Sequence, residues 1–282
     1  MRRLLPVLAA AAFVGGCCVK SQPPKPPYYG PTSDLRSLID ELNTRNARLV
    51  SLRAEGGFSA DFVDPKTKKH DGGDGDVTLL LMPPQNLRLR GTVFGQLMFD
   101  VGANSQDYWL HLPKQDVMYT GTLAAEPNDL ASSLPIRPDV LAEVLGLKPI
   151  SADLLGQPFP TLRFNHDDDC YMLTWSLRLR DRWAVQKEVW YDRTSLVPTR
   201  VLLYDAAGRV VLRAIPSQPK PVEGYAPPVM FPSKFELLFT DTGSTFELRL
   251  STLEQRRGKA PSERTFVLPE PPEGTKRESL DR

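Results

Sequence analysis

The sequence predicts a mainly β (α+β) fold: a large, curled antiparallel sheet that forms an unclosed half-barrel with a few covering helices. Three observations predict it. Roughly a dozen segments alternate apolar and polar residues with a period of two, the spacing of a half-buried strand. Short turn-forming runs separate them, which favours antiparallel neighbours over long crossovers. Just two stretches show helical spacing, at 34–52 and 133–147. A sheet with one apolar face must cover it. Two helices cannot cover so large a sheet laid flat, so it is expected to curl.

The elements follow in order. "DLRSLIDELNTRNARLVSL" places Leu35, Leu38, Ile39, Leu42, Leu49 and Leu52 along one helical stripe, with Ser33 or Asp34 as the cap. The period then changes to two. "GFSADFV", "DVTLLLM", "NLRLRGTVF", "QLMFDVG", "DYWLHL" and "DVMYTGTL" read as strands, and Pro83-Pro84, Gly95 and Asn104 mark turns. In Leu87-Arg88-Leu89-Arg90 the leucines face one side and the arginines the other. "SLPIRPDVLAEVLGL" returns to helical spacing, with Pro138 near its start and Gly146 near its end. "FPTLRFNH" and "CYMLTWSLRLRDRWAVQKEVWYD" resume the strands; Leu173, Trp175, Leu177 and Leu179 share a face. "PTRVLLYDAAGRVVLRAI" and "PSKFELLFTDTGSTFELRLSTLEQ" are hairpins, "ERTFVL" is a short strand, and a polar tail closes the chain.

The ends address the compartment. Arg2 and Arg3 precede an apolar run from Leu4 to Val14, then Gly15, Gly16 and Cys17. This is a secretory signal layout, too short for an ordinary spanning helix. Val14-Gly15-Gly16-Cys17 resembles a bacterial lipobox, in which the cysteine becomes the acylated first mature residue; a plain signal peptide with an incidental cysteine is the alternative. Several acyl chains anchor firmly, since each buried methylene contributes about 0.8 kcal/mol. The prolines of 17–33 then form an extended tether. Position two of such a chain is Cys18, not the aspartate that retains lipoproteins in the inner membrane, so the expectation is an outer-membrane, periplasm-facing location. The division expected is 1–16 signal peptide, 17–33 lipidated cysteine and tether, 34–270 folded domain and 271–282 tail.

Composition narrows the function. The chain has 282 residues and formal net charge +1, from 35 basic and 34 acidic groups. That balance argues against a nucleic-acid surface. The three cysteines, Cys17, Cys18 and Cys170, form no CxxC pair or Cys/His cluster, which makes zinc and thioredoxin-type chemistry unlike this sequence; Cys170 reads as a small buried strand residue. "DTGS" at Asp241–Ser244 matches an aspartic-protease signature, but it occurs once and sits where a hairpin turn is expected. "HDGGDGD" and "HDDD" lack calcium-loop spacing and read as solvated turns. No GxSxG, P-loop or GxGxxG is present. The expectation is a protein that is not an enzyme and holds no cofactor or metal beyond a covalent lipid on Cys17.

"GDVTLLLMPPQNLRLRG", "DYWLHLPKQDVMYTG" and "VWYDRTSLVPTRVLLYDAAGR", after the lipobox and the leading helix, resemble the LolA/LolB-like lipoprotein carriers. The resemblance covers about residues 34 to 270 and rests on strand spacing. It implies an unclosed β-barrel whose apolar cavity shelters the acyl chains of lipoproteins in the periplasm, with lipid and the membrane as partners. It also implies a protruding loop with an exposed apolar residue; the candidate here, "VDPKTKKHDGGDGDV", is polar at its tip. The candidate ligand-facing residues are Leu79, Leu81, Leu87, Leu89, Leu97, Phe99, Trp175 and Leu177. They are equally readable as an ordinary core, in which case the chain is a structural or interaction lipoprotein with an envelope-protein partner.

Overall fold

The structure is a computed structural model, and it describes residues 26–63, 67–123, 125, 138–146, 148–255 and 261–281. Helix α1 (Leu35–Ala47) comes first, and the Asp34 carboxylate caps it by accepting from the Arg36 and Ser37 amides. The expected helix to Leu52 is shorter: it ends at Ala47, Leu49 lies in the connection and Leu52 opens the first strand. Both leucines still reach the core from there.

Six strands follow: β1 (Leu52–Val63), β2 (His70–Met82), β3 (Asn86–Val93), β4 (Gln96–Ala103), β5 (Asp107–Leu112) and β6 (Val117–Thr122). Helix α2 (Pro138–Val144) separates them from β7 (Phe159–Asn165), β8 (Cys170–Arg178), β9 (Trp183–Asp192), β10 (Pro198–Tyr204), β11 (Val210–Val222), β12 (Val229–Phe239) and β13 (Ser244–Glu254). A 3-10 turn at Glu263–Phe266 stands where "ERTFVL" predicted a strand. "HDGGDGD" is also not a turn: His70–Asp76 is the exposed first half of β2, paired along its length with β1.

Among the described residues all strands join one 14-stranded sheet, in the order β14-β6-β5-β4-β3-β2-β1-β13-β12-β11-β10-β9-β8-β7, where β14 is Lys276–Ser279. The sheet does not close, because β14 and β7 are its edges. Its pairs are antiparallel except β14 with β6, which is parallel. The expected polar tail therefore supplies a strand, and Leu280 after it is fully buried against Ala103 and Tyr108.

Distances show that the sheet curls. Strands stack about 4.8 Å apart, so β4 and β13 would be about 19 Å apart if flat. Yet the Phe99 and Phe246 rings on those strands are 6.0 Å apart, with Phe58 of β1 between them at 5.0 Å from Phe99. Helix α2 packs on β4 and β5 while its Glu143 reaches Lys187 of β9. A seven-residue helix is about 10 Å long, and it can touch both wings only if they approach each other.

The sheet's outer face is not uniformly solvated. Arg88 donates to both carboxylate oxygens of Asp100 at 3.0 and 2.6 Å and to the Thr265 carbonyl at 2.8 Å. Asn104 donates to the Phe266 carbonyl. The C-terminal segment thus covers β3–β5 from outside, and residues 108–111 are all buried. The tether expectation changes too. From Tyr28 onward the chain is docked: the Tyr28 amide donates to the His166 carbonyl, Arg193 lies 3.6 Å from the Tyr28 ring, and the Ser33 amide donates to Tyr171 Oη.

Candidate functional site

The concave face is built by the period-two strands. Leu79 and Leu81 of β2, Leu87 and Leu89 of β3, Phe99 of β4 and Trp175 of β8 all enter one core, none more than 5% exposed. A side chain lining a water-sized void keeps accessible surface, so this burial means that protein atoms cover them. The cover comes from Leu38 and Leu42 of α1 and from Leu141, Val144 and Leu145 at α2.

Two of the expected residues lie elsewhere. Strict alternation puts Leu97 beside Phe99, but a register shift follows Gly91: Phe99 opposes Gly91 while Leu97 opposes Thr92. The extra residue, Met98, packs on the core instead, and Leu97 is half-buried outside it. Leu177 opposes Ala184 near the open end of β8, past another shift after Trp175, and is likewise half-buried outside the core.

The polar chemistry collects at the edge of the α2 cover. Lys187 of β9 donates to Glu143 at 2.6 Å, and Lys148 pairs with the other Glu143 oxygen at 2.9 Å. Burial alone would raise the Glu143 pKa, but the two ammonium groups outweigh it and hold the carboxyl below its usual range. The Lys187 ammonium also lies 4.5 Å from the Trp175 ring centroid. Beneath them, burial and then the Glu143 charge push the Tyr191 phenol far up, so it stays neutral. Helix α1 holds the same cover by amide groups. Asn43 and the Ile150 backbone exchange two hydrogen bonds at 2.8 Å, and Asn46 donates to the Gly146 carbonyl. A cleft of about 340 Å³ opens beside this cover, between Lys148, Ser151, Trp175, Lys187 and Tyr191.

No local sequence pattern marks Glu143, Lys187 or Asn43 as partners. Asn43 and Asn46 were legible as amides flanking an apolar helix stripe, but their partners come from a segment about 100 residues away. The resemblance implies an exposed apolar tip at 63–77, of which residues 64–66 lie outside the described residues. The structure places one at the β3–β4 turn, where Phe94 is fully exposed with φ 49° beside Gly95 at φ 79°.

Other motifs have structural roles. Asp241 sits in the β12–β13 turn, where the Gly243 amide donates to the Phe239 carbonyl. His70 contacts Asp61, His166 donates from Nδ1 to the Tyr28 carbonyl, and His111 is buried in β5 with its pKa lowered by burial against the opposing pull of Asp100. Among the described residues, no group of three or more His, Cys, Asp and Glu side chains is placed to hold a metal. Nor is any described helix long and apolar enough to cross a membrane. Cys17 and Cys18 lie outside the described residues, and Cys170 is a buried free thiol.

No family model matches this sequence, and no curated protein matches it. Solved structures share its fold. A putative outer membrane lipoprotein-sorting protein domain from Vibrio parahaemolyticus superposes with a TM-score of 0.54 at 13% identity, over 82% of this chain and 95% of that one. A LolA superfamily protein from Nitrosomonas europaea gives 0.51 at 14% identity, over 84% and 99%. A DUF1329 family protein from Desulfovibrio piger gives 0.51 at 12% identity, over 80% and 95%. The fold is therefore LolA/LolB-like.

Proposed function

We propose that the protein binds lipid, or the acyl chains of lipoproteins, within the concave face of its half-barrel, from an outer-membrane anchor on Cys17 that faces the periplasm. The observation that carries this reading is the α2 cover. It seals an apolar trough with three apolar side chains, held at its rim by Glu143 and a few amide hydrogen bonds. Lifting three such side chains off the core costs roughly 6 kcal/mol. An acyl chain of about 16 carbons recovers on the order of 12 kcal/mol at about 0.8 per methylene. Displacement of the cover by a ligand is thus favourable on apolar area alone, and no catalytic group is needed. The likeness to a lipoprotein-sorting domain supports the same reading.

Phe94 supplies the exposed apolar tip that the resemblance implies, presented on a two-residue turn. The test is extraction of the purified protein followed by mass spectrometry, with titration by a fluorescent fatty acid. Copurified lipid and saturable uptake are expected. A protein that is lipid-free and takes up no fatty acid overturns the reading.

A second reading has its own observation. The face is filled in this conformation, with Leu79, Leu89 and Val101 fully buried. If it never opens, the chain is a non-catalytic interaction lipoprotein of the envelope, and its outer surface meets a protein partner.

A further inference from the structure

The corner where β7 begins and the β8–β9 hairpin turns carries groups that the concave face does not use. Leu155 is 93% exposed and Trp183 57% exposed. The Trp183 ring stands edge-on to Phe159, with centroids 5.1 Å apart. Around them Arg178, Arg180 and Arg182 are all exposed, with Asp181 the one carboxylate in the 178–183 run.

The corner is braced. The Leu179 amide donates to the Arg182 carbonyl at 2.8 Å, closing the turn. The Arg178 amide donates to Gln157 Oε1 at 3.0 Å, tying the Leu155 segment to the hairpin. Arg182 donates to the Ala206 carbonyl on the next turn. Exposed apolar side chains on a braced tip lose little freedom on docking.

We propose that this corner docks on the surface of an anionic phospholipid bilayer. Trp183 and Leu155 enter the interfacial zone, and Arg178, Arg180 and Arg182 pair with lipid phosphates. Charge complementarity favours this occupant: three guanidiniums stand against two carboxylates, Asp181 in the turn and Asp153 beside Leu155, and the guanidinium fork matches phosphate oxygens. Tryptophan prefers the headgroup level, where its ring is half wet. The shape agrees. A stable protein interface takes about 800 Å² per partner on a matched surface, whereas a narrow hairpin tip suits insertion between headgroups. Strand direction alternates from β3 to β8, so the β3–β4 turn, with Phe94, and the β8–β9 turn follow strand ends that point the same way. The corner is therefore a second contact beyond Phe94, and it stands whether or not the concave face opens.

The test uses the full chain with Cys17→Ser, so that acylation does not itself hold it to lipid. Cosedimentation is measured with vesicles of phosphatidylglycerol and phosphatidylethanolamine, and with phosphatidylcholine alone. Binding to the anionic vesicles is expected. Arg178→Gln, Arg180→Gln and Arg182→Gln together should weaken it on the order of 100-fold, roughly fivefold for each charge near the surface. Trp183→Gln with Leu155→Gln should also weaken it. Replacing the exposed Arg36, Lys220 and Arg264 by Gln removes equal charge elsewhere and should change it little. Absence of binding to anionic vesicles overturns the proposal. So does a corner triple variant that binds like the control triple, or one that loses self-association while vesicle binding is unchanged.

Discussion

The Glu143 carboxylate of α2 accepts a 2.6 Å hydrogen bond from the Lys187 ammonium of β9, while the helix that carries it packs on β4 and β5. One ion pair therefore fastens the cover across both wings of the curled sheet. Both side chains are about one-fifth exposed, so the pair is partly desolvated, and neither partner has full water as an alternative.

Glu143→Gln is expected to cost about 1–2 kcal/mol, because it leaves two lysines without their carboxylate. The loss should fall on the cover first, so amide hydrogen exchange across 138–146 should quicken about tenfold while β1 and β13 stay protected. The pH dependence has a definite sign. The folded pKa of Glu143 is depressed, so its contribution is fully present above the unfolded value near 4.5 and is lost as pH falls through the lower folded value. Protection factors across 138–146, taken relative to the intrinsic exchange rate at each pH, should therefore fall in the wild type below about 4.5 and change little in the Gln variant in that window. Equal exchange at pH 7 in the two proteins would remove the latch.

Leu79 and Leu89 are fully buried by protein atoms. If the face is a packed core that opens just transiently, Leu89→Ala costs about 2–5 kcal/mol in a denaturant titration, since a cavity remains. A cost below about 1 kcal/mol would mean that the side chain faces empty or lipid-filled space instead.

Removing residues 271–282 deletes β14 and the Leu280 side chain, which is fully buried against Ala103 and Tyr108 at the β14 edge of the sheet. Losing Leu280 alone is expected to cost about 2 kcal/mol or more. A truncated chain with unchanged thermal stability would return this segment to the status of a tail.

Burial, with Asp168 close by, pushes the Cys170 thiol up to about 11. Iodoacetamide at pH 8 should leave Cys170 unmodified in the native protein and label it fully in urea, as read by peptide mapping. The raised folded value makes this group's share of stability complete below the unfolded pKa near 9 and lost as pH rises toward 11. Rapid native labelling would contradict the burial of Cys170 at the start of β8.

Cys17→Ser is expected to release the protein from membranes and to abolish acyl labelling, measured by fractionation and a clickable fatty acid. The docked Tyr28 limits the reach of such an anchor. The 11 steps between the two residues span at most about 40 Å. Retention of both labelling and membrane association in the variant would exclude Cys17 as the acylated residue.

The sequence by itself determined the local and periodic part of this protein. Period-two alternation identified β1 to β13, Pro83-Pro84 and Gly95 marked turns, and Asp34 marked the start of α1, because each signal is read from a few neighbouring residues. It also put Leu79, Leu81, Leu87, Leu89 and Phe99 on one face. Tertiary structure decided what those faces meet. The shift at Met98 turned Leu97 away from Phe99, since one extra residue reverses the side-chain phase and alternation does not reveal it. The polar 276–279 segment became a strand because β6 had an open edge. Glu143 met Lys187, and Asn43 met Ile150, because the sheet curls enough to bring its wings under one short helix. Such contacts depend on the summed twist of 14 strands, and no local stretch of sequence encodes that sum.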